Sequence, residues 1–220
     1  MLRTFMTTAL TSLAMLTPSF AADQIEGPEF EVIKAVDGVE LRAYATYLVA
    51  EVDVKADDRR AASQMGFAPL ASYIFGKNRP GEKIAMTAPV TTQPVTERQP
   101  MGGGDGAKIA MTAPVTTTPT EDGLYTIRFT MPKKWTMETL PKPESDSVRL
   151  IEVPAKKLVA AGYVGPRNEE TAASLNAKLD SFAAANDIVL APGMISAGYD
   201  GPNTPAAKRR WEVMREVLAD

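Results

Sequence analysis

The 220-residue chain contains no cysteine and no histidine. Without cysteine there is no disulfide, no thiolate nucleophile and no cysteine-ligated zinc site. Without histidine there is no Ser-His-Asp triad, no imidazole acid or base and no histidine metal ligand. The remaining carboxylate, lysine, tyrosine, serine and threonine residues form no recognisable catalytic motif, so the sequence predicts a protein that is not an enzyme.

Clustered positive charge is also scarce. The chain has 24 Lys and Arg against 27 Asp and Glu, a net charge of −3. Its basic runs, Arg59-Arg60 and Lys208-Arg209-Arg210, are short and are typical of solvated faces. This balance argues against a nucleic-acid partner and against docking on anionic membranes.

Long hydrophobic runs are absent after the first segment. Residues 1–21 combine Arg3, a short apolar stretch from Ala9 to Leu16 and the small-x-small site Ser19-Phe20-Ala21. This pattern predicts a secretory signal peptide, although a frayed N-terminus of a cytosolic protein is the alternative. The apolar stretch is too short to span a bilayer. We therefore expect a periplasmic or secreted protein without membrane insertion, with residues 22–220 as a single domain.

What the chain does contain is a duplication. The ten residues Lys83–Thr92, KIAMTAPVTT, return unchanged at Lys108–Thr117, with a Gly-rich turn between the copies. Within each copy apolar and polar residues alternate, which predicts a half-buried strand with its proline near the strand end. Either one copy is the sheet strand and the other an extra edge strand, or the pair forms a protruding hairpin across 83–119. The phosphate-loop spacing is not met, because Ala107 separates Gly106 from Lys108.

The rest of the chain reads as strands and two helices. Asp37-Gly38 lies between two alternating segments and predicts a hairpin. Asp57 or Asp58 caps a helix that runs to about Phe75, with a kink or restart expected at Pro69. Asn168 caps a second helix, from Glu169 to about Ala185. Further strands are predicted at 47–54, 124–131, 148–153 and 158–164, with a short strand from Ala197 to Tyr199. Residues 211–217 are also predicted as a strand, with a helix as the alternative.

This order places a strand–strand–helix–strand–strand plan in each half of the chain. It predicts an α+β fold, because an all-parallel α/β protein does not alternate in this way. We expect about eight antiparallel strands closed into a distorted barrel, with two packed helices and a pseudo-two-fold relation between the halves.

Several blocks resemble the SOUL haem-binding protein family. They are YIFG at 73–76 followed by GEKIAMTAPV at 81–90, EVIKAVDGVELRAY at 31–44, VRLIEVP at 148–154, and YDGPNTP at 199–205 with RRWEV at 209–213. The resemblance covers nearly the whole mature chain. It implies the barrel with two helices and non-covalent binding of haem or another tetrapyrrole, for carriage or buffering.

The resemblance also implies a location for the ligand, in an apolar cleft between the first helix and the loop before the last strand. Because the chain has no histidine, a histidine axial ligand is excluded, and Met, Tyr or Lys would have to take its place. The cofactor-binding candidates are Met65 for contact or a weak axial bond, Arg59, Arg60 and Lys208 for the propionates, and Pro202 in the loop.

Each candidate has a plainer alternative, with Met65 in the core and the cations on the solvated surface. Ala206 and Ala207 stand where the family often has large apolar side chains, which reduces the apolar area available for a porphyrin face. The alternative function is a binding module for another small amphipathic ligand, resembling effector-binding domains of the same fold. No metal site is predicted, and the sequence assigns no oligomeric state.

Overall fold

A computed structural model describes residues 26–79, 106–120, 123–201 and 203–218. Within these residues the chain forms two helices and eleven strands. The strands are β1 (Phe30–Val36), β2 (Val39–Tyr44), β3 (Tyr47–Lys55), β4 (Asn78–Arg79), β5 (Val115–Pro119), β6 (Leu124–Thr130), β7 (Lys142–Pro143), β8 (Arg149–Val153), β9 (Lys156–Val164), β10 (Ile195–Gly198) and β11 (Arg210–Glu216). The helices are α1 (Arg59–Ile74) and α2 (Glu169–Ala184). None of the helices in this part of the chain combines the length and the hydropathy needed to cross a bilayer.

Nine strands form one curled antiparallel sheet in the order β1-β2-β9-β11-β10-β5-β6-β3-β8, and β4 pairs with β7. Both helices pack on one face of the sheet, α1 over β3, β6 and β5, and α2 over β9 and β11. The predicted α+β class, with a curled barrel-like sheet and two packed helices, is confirmed. The sheet has nine strands where the sequence predicts about eight.

Local signals that depend on neighbouring residues are confirmed. Asp37 and Gly38 both have positive φ, 50° and 77°, as the tight β1–β2 hairpin requires. The Asp58 carboxylate accepts a hydrogen bond from the Ala61 amide, and the Asn168 side chain accepts one from the Thr171 amide. These two caps fix the starts of α1 and α2.

The expected restart of the first helix at Pro69 is wrong. The helix is continuous from Arg59 to Ile74 with Pro69 inside it. Its buried face supplies the reason, since Ala62, Leu70 and Tyr73 all pack into one core on β3 and β6. That burial outweighs the loss of one backbone hydrogen bond at the proline.

The second duplicated copy is only partly a strand, so the prediction for Lys108–Pro114 is wrong. Its residues bond in turn to separate segments: the Ile109 N–H to the Ile74 carbonyl at 2.9 Å, the Thr112 hydroxyl to the Thr130 carbonyl, and the Ala113 N–H to the Glu26 carbonyl at 2.9 Å. A single strand ladder cannot form with three different partners. From Val115 the copy enters the sheet as β5, an interior strand between β10 and β6. The first copy lies outside the described residues.

Candidate functional site

The two helices begin close to each other, although they belong to opposite halves of the chain. Arg59 is the first residue of α1 and Glu169 the first residue of α2, and the Arg59 Nη1 donates to Glu169 Oε2 at 3.0 Å. Helix N-termini carry partial positive charge from their unpaired amides. Two such ends therefore meet at one place on the helix-covered face.

A second arginine completes this cluster. Arg167 directly precedes the α2 cap, and its Nε lies 3.5 Å from Glu169 Oε1. Its Nη1 donates to Ser63 Oγ at 3.1 Å, and Ser63 Oγ lies 2.9 Å from Thr117 Oγ1 of β5. We call Arg59, Ser63, Arg167 and Glu169 the arginine cluster. It holds two guanidinium groups and one carboxylate, so it has an excess of one positive charge.

Two N–H groups of the cluster have no acceptor. Arg59 Nε and Arg167 Nη2 are buried and make no hydrogen bond to any described residue. Burial lowers the pKa of Arg167, the Glu169 carboxylate acts to raise it and the Arg59 charge lowers it further. Buried donors of this kind are costly unless they are satisfied. An anion with several acceptor oxygens would satisfy both.

The arginine cluster also has an aromatic wall that leads toward the loop before β11. The Arg167 guanidinium lies 5.4 Å from the centre of the Trp211 ring, within cation–π range. The Trp211 indole N–H donates to the Gly165 carbonyl at 3.1 Å, and the Gly165 amide donates to the Arg209 carbonyl at 2.9 Å. Contacts thus run from α1 through Arg167 and Trp211 to the residues that end this loop.

The predicted site residues do not come together as one group. Arg59 lies in the arginine cluster, with a side chain that is only 14% exposed. Met65 is 53% exposed, so it lies on the surface of α1 and not in the core. Arg60 and Met65 are five positions apart on α1, about 140° around the helix, and so project from different flanks. Lys208 is exposed at the end of the Ala206–Lys208 turn, and Pro202 lies outside the described residues.

Sequence reasoning missed Arg167, Ser63 and Trp211. A signal was present in the matching helix starts, since Arg59 follows the Asp58 cap and Arg167 precedes the Asn168 cap. The ion pairs of Arg59 and Arg167 with Glu169 bring these positions together. Arg59 and Arg167 are far apart in the sequence, so their pairing became visible only in the fold.

Two buried tyrosines, Tyr73 and Tyr199, are poorly suited to bind iron. Burial raises the pKa of Tyr73, whose hydroxyl donates to the Pro141 carbonyl at 2.6 Å. Burial and the nearby Glu212 charge raise the pKa of Tyr199 well above its usual value, and its hydroxyl donates to Glu212. Both phenols are therefore held in the protonated form, which is not the form that binds iron.

A cavity of about 430 Å³ lies at the opposite end of β3 from the start of α1. Its apolar wall includes Tyr47, Leu48, Met131, Trp135 and Met137, and its polar wall includes Lys133, Glu29, Glu138 and Glu152. The Lys133 ammonium is bonded to the Glu29 carboxylate. Three carboxylates against one ammonium make this wall acidic, so it disfavours a ligand that carries carboxylates.

Comparison with known proteins gives the family. The model of the family described as "SOUL heme-binding protein" matches residues 25–105 and 101–216. The chain belongs to the SOUL family. The resemblance drawn from the sequence blocks is thus confirmed, and the expectation of haem or another tetrapyrrole as ligand agrees with this membership.

Individual relatives of this SOUL protein are more distant. Human Heme-binding protein 2 is 38% identical over 79 residues, which are 36% of this chain and 36% of the human protein. The C-terminal domain of EcmrR has a TM-score of 0.55 at 11% identity, over 83% of this chain and 98% of that domain. A hydrolase from Listeria innocua has a TM-score of 0.51 at 14% identity, over 82% and 91%. At these identities the two structures are similar in fold alone.

Proposed function

We propose that this SOUL protein binds haem or a related tetrapyrrole non-covalently, without a histidine ligand, and that the arginine cluster receives the ligand's carboxylates. The observation that carries the proposal is the pair of buried N–H groups without an acceptor, on Arg59 and Arg167. Tetrapyrroles such as haem carry carboxylate side chains together with a large apolar ring. Arginine is well matched to carboxylates, because its planar guanidinium can donate two parallel hydrogen bonds.

The residues around the cluster suit the carboxylate edge of such a ligand. The two guanidinium groups and the two helix N-termini attract negative charge. Glu169, the one carboxylate present, has a side chain that is 61% exposed and so can turn outward into water when a ligand carboxylate replaces it. Trp211 offers an aromatic surface beside Arg167 for the ring edge. In this proposal the ring reaches from the cluster toward the loop that ends at Lys208, and the protein carries or buffers the tetrapyrrole.

The test is a haemin titration of residues 22–220, followed at the Soret band, with single and double alanine variants of Arg59 and Arg167. We expect saturable one-to-one binding that weakens roughly tenfold or more with each alanine, since a charge-assisted hydrogen bond contributes about 1.5–3 kcal/mol. Arg60→Ala is the matched control, because Arg60 is the adjacent residue but is exposed and outside the cluster. Equal affinity of all variants, or a signal that never saturates, would overturn the proposal.

A second control changes the ligand, and it separates the contribution of the ligand's carboxylates to affinity from that of ring burial. The dimethyl ester of the same porphyrin keeps the ring but cannot present carboxylates. We expect it to bind the unaltered protein more weakly than the free acid and to be indifferent to Arg59→Ala. If ester and acid bind equally well, the arginine cluster is not the carboxylate site.

The second candidate function is binding of another small amphipathic ligand, and the cavity beside Trp135 favours it. Its volume of about 430 Å³ lies in the range of small-molecule sites. Aromatic and thioether side chains with an acidic wall suit an organic cation that has an apolar body. We expect Glu138→Gln and Glu152→Gln to weaken such binding, measured by calorimetry with a quaternary aromatic ammonium. No heat with any cation would remove this candidate.

We further propose that the protein acts in the periplasm or outside the cell, as the N-terminal segment suggests. Expression of the full chain in a Gram-negative host should give a periplasmic product with the mass of residues 22–220. A cytoplasmic product of full mass would contradict this.

A further inference from the structure

Both copies of the duplicated segment match one and the same position in the sheet. Aligning Gly81–Pro94 with Gly106–Pro119 leaves 12 of 14 residues identical. The second copy occupies a position between α1, the Glu26 segment, β6 and β10, and we call this position the β5 slot. We propose that the two copies compete for the β5 slot, so that the folded protein exchanges between two arrangements that differ by a shift of 25 residues.

The β5 slot has a strict steric requirement, and both copies meet it. A Cβ at Gly106 would lie 2.2 Å from the Asn78 carbonyl oxygen, 2.4 Å from the Gly76 carbonyl oxygen and 2.5 Å from the Asn78 side-chain oxygen. No side chain larger than hydrogen fits there. Gly81 stands at the corresponding position of the first copy.

The buried contacts are also preserved. Ile109 and Ala113 are buried in the slot, and Ile84 and Ala88 replace them with identical side chains. Thr117, which lies against Ser63 of the arginine cluster, is replaced by Thr92. The two differing positions, Ala107 and Thr118, are not buried, so Glu82 and Gln93 can stand there in contact with water.

The segments that connect the slot to β4 and β6 are long enough in both arrangements. With the second copy in the slot, residues 80–105 and 120–123 connect it to β4 and β6, that is 26 and 4 residues. With the first copy there, Pro80 alone and residues 95–123 do so, that is 1 and 29 residues. The short link is feasible, because Gly106 touches the Asn78 carbonyl and two peptide links from Arg79 span about 7 Å. The cost of closing a long flexible loop grows only with the logarithm of its length, so the 26-residue and 29-residue connections cost nearly the same.

The chain supplies its own matched variants. Gly81→Val bars the first copy from the slot and Gly106→Val bars the second. We expect each single variant to fold, with a Tm within a few degrees of the unaltered protein, and the double variant to lose cooperative unfolding. If Gly106→Val is as damaging as the double variant while Gly81→Val is silent, only the second copy uses the slot and the proposal is wrong.

Amide NMR spectra give an independent readout. Asn78 bonds Ala107, which corresponds to Glu82 in the first copy, so its amide signals should differ between the arrangements. Asn78 should show two sets of signals in the unaltered protein and one set in each single variant. A single set in the unaltered protein that neither variant alters would overturn the exchange. The outcome does not depend on haem binding, because no ligand is present in either measurement.

Discussion

At the scale of single residues, Arg42, Glu40 and Glu212 form a buried network of charges in the sheet. Arg42 donates from Nη2 to Glu212 Oε1 at 2.7 Å, from Nη1 to Glu212 Oε2 at 3.0 Å and from Nε to Glu40 Oε2 at 2.7 Å. Although burial opposes it, Glu212 raises the pKa of Arg42. Tyr199 donates to the same Glu212. This network is saturated with partners, unlike the arginine cluster, and a structural role accounts for it.

Removal of Arg42 should therefore be costly. Arg42→Met leaves the Glu212 carboxylate buried without its cation, and we expect a loss of about 3–5 kcal/mol in the free energy of unfolding. Urea unfolding measures it. Arg128→Met is the control, since Arg128 pairs with Glu51 at 2.8 Å but is 31% exposed, and Arg149 also bonds Glu51. A control loss as large as that of Arg42→Met would refute the argument from burial.

The raised pKa of Tyr44 should make the folded protein less stable at alkaline pH. Burial, opposed by Arg42 and assisted by Glu212, raises the pKa of Tyr44 to about 12. In the unfolded chain a tyrosine titrates near pH 10. Between about pH 10 and 12 the unfolded state therefore binds fewer protons than the folded state, so the free energy of unfolding falls as pH rises.

The measurement is urea unfolding at several pH values from 8 to 12. Tyr44→Phe should flatten the alkaline decline, although Tyr73 and Tyr199 keep part of it because their pKa values are also raised. At pH 8 the variant should differ little from the unaltered protein. An alkaline slope that is the same with and without Tyr44 would contradict the assignment.

At the scale of elements, α1 depends on a close approach to β6. A Cβ at Gly66 would lie 2.7 Å from Ile127 Cγ1 and 2.9 Å from both Cβ and Cδ1. Gly66 therefore lets the helix backbone rest directly on the fully buried Ile127. The glycine weakens the helix in isolation, but tertiary packing compensates for that loss.

Gly66→Ala should destabilise the protein despite its better helix propensity. Overpacking costs about 1–3 kcal/mol and exceeds the gain in propensity of about 1 kcal/mol. In the Ile127→Ala background the same change fills space, so the two substitutions should be coupled and less damaging together than their sum. Thermal unfolding of the four proteins measures this. If the stability changes of the two substitutions simply add, the contact between residue 66 and Ile127 is not the cause of the destabilisation.

The same scale shows what local pattern can and cannot predict. Caps, hairpin residues and alternation are local, which is why both helix starts and strands β3, β6 and β11 are confirmed. Trp211, Val213 and Arg215 alternate along β11 and so share a face, and that face meets α2: Val213 packs in its core, and Arg215 bonds Asp180 at 3.2 Å. The segment Lys108–Pro114 alternates equally well but is not a strand, because its hydrogen-bond partners come from three separate parts of the chain.

At the scale of the whole molecule, two sites of opposite charge preference lie in different places. The arginine cluster attracts anions, whereas the cavity beside Trp135 has an acidic wall. The cavity lies beside the start of β3, and α1 begins beyond the end of β3, so the two sites lie apart along this strand. A tetrapyrrole with carboxylates and an organic cation should therefore choose opposite ends.

The two tryptophans allow this to be tested, because each marks one end. In Trp135→Phe the remaining Trp211 reports on the arginine cluster, and in Trp211→Phe the remaining Trp135 reports on the cavity. Haemin should quench Trp211 more strongly than Trp135 at substoichiometric amounts. Stronger quenching of Trp135 would place the ligand in the cavity and favour the second candidate function.

The sequence by itself determined the family, the α+β class, both helix starts and the exclusion of a histidine ligand, because composition, caps and motif blocks are properties of the chain alone. Only the tertiary structure decided which charged residues meet. Arg59 and Arg167 are 108 positions apart, and they come together because the two halves pack their helix starts against each other. It also decided that Arg60, Met65 and Lys208 lie on exposed surface, since the side of a helix or loop that is covered depends on long-range packing.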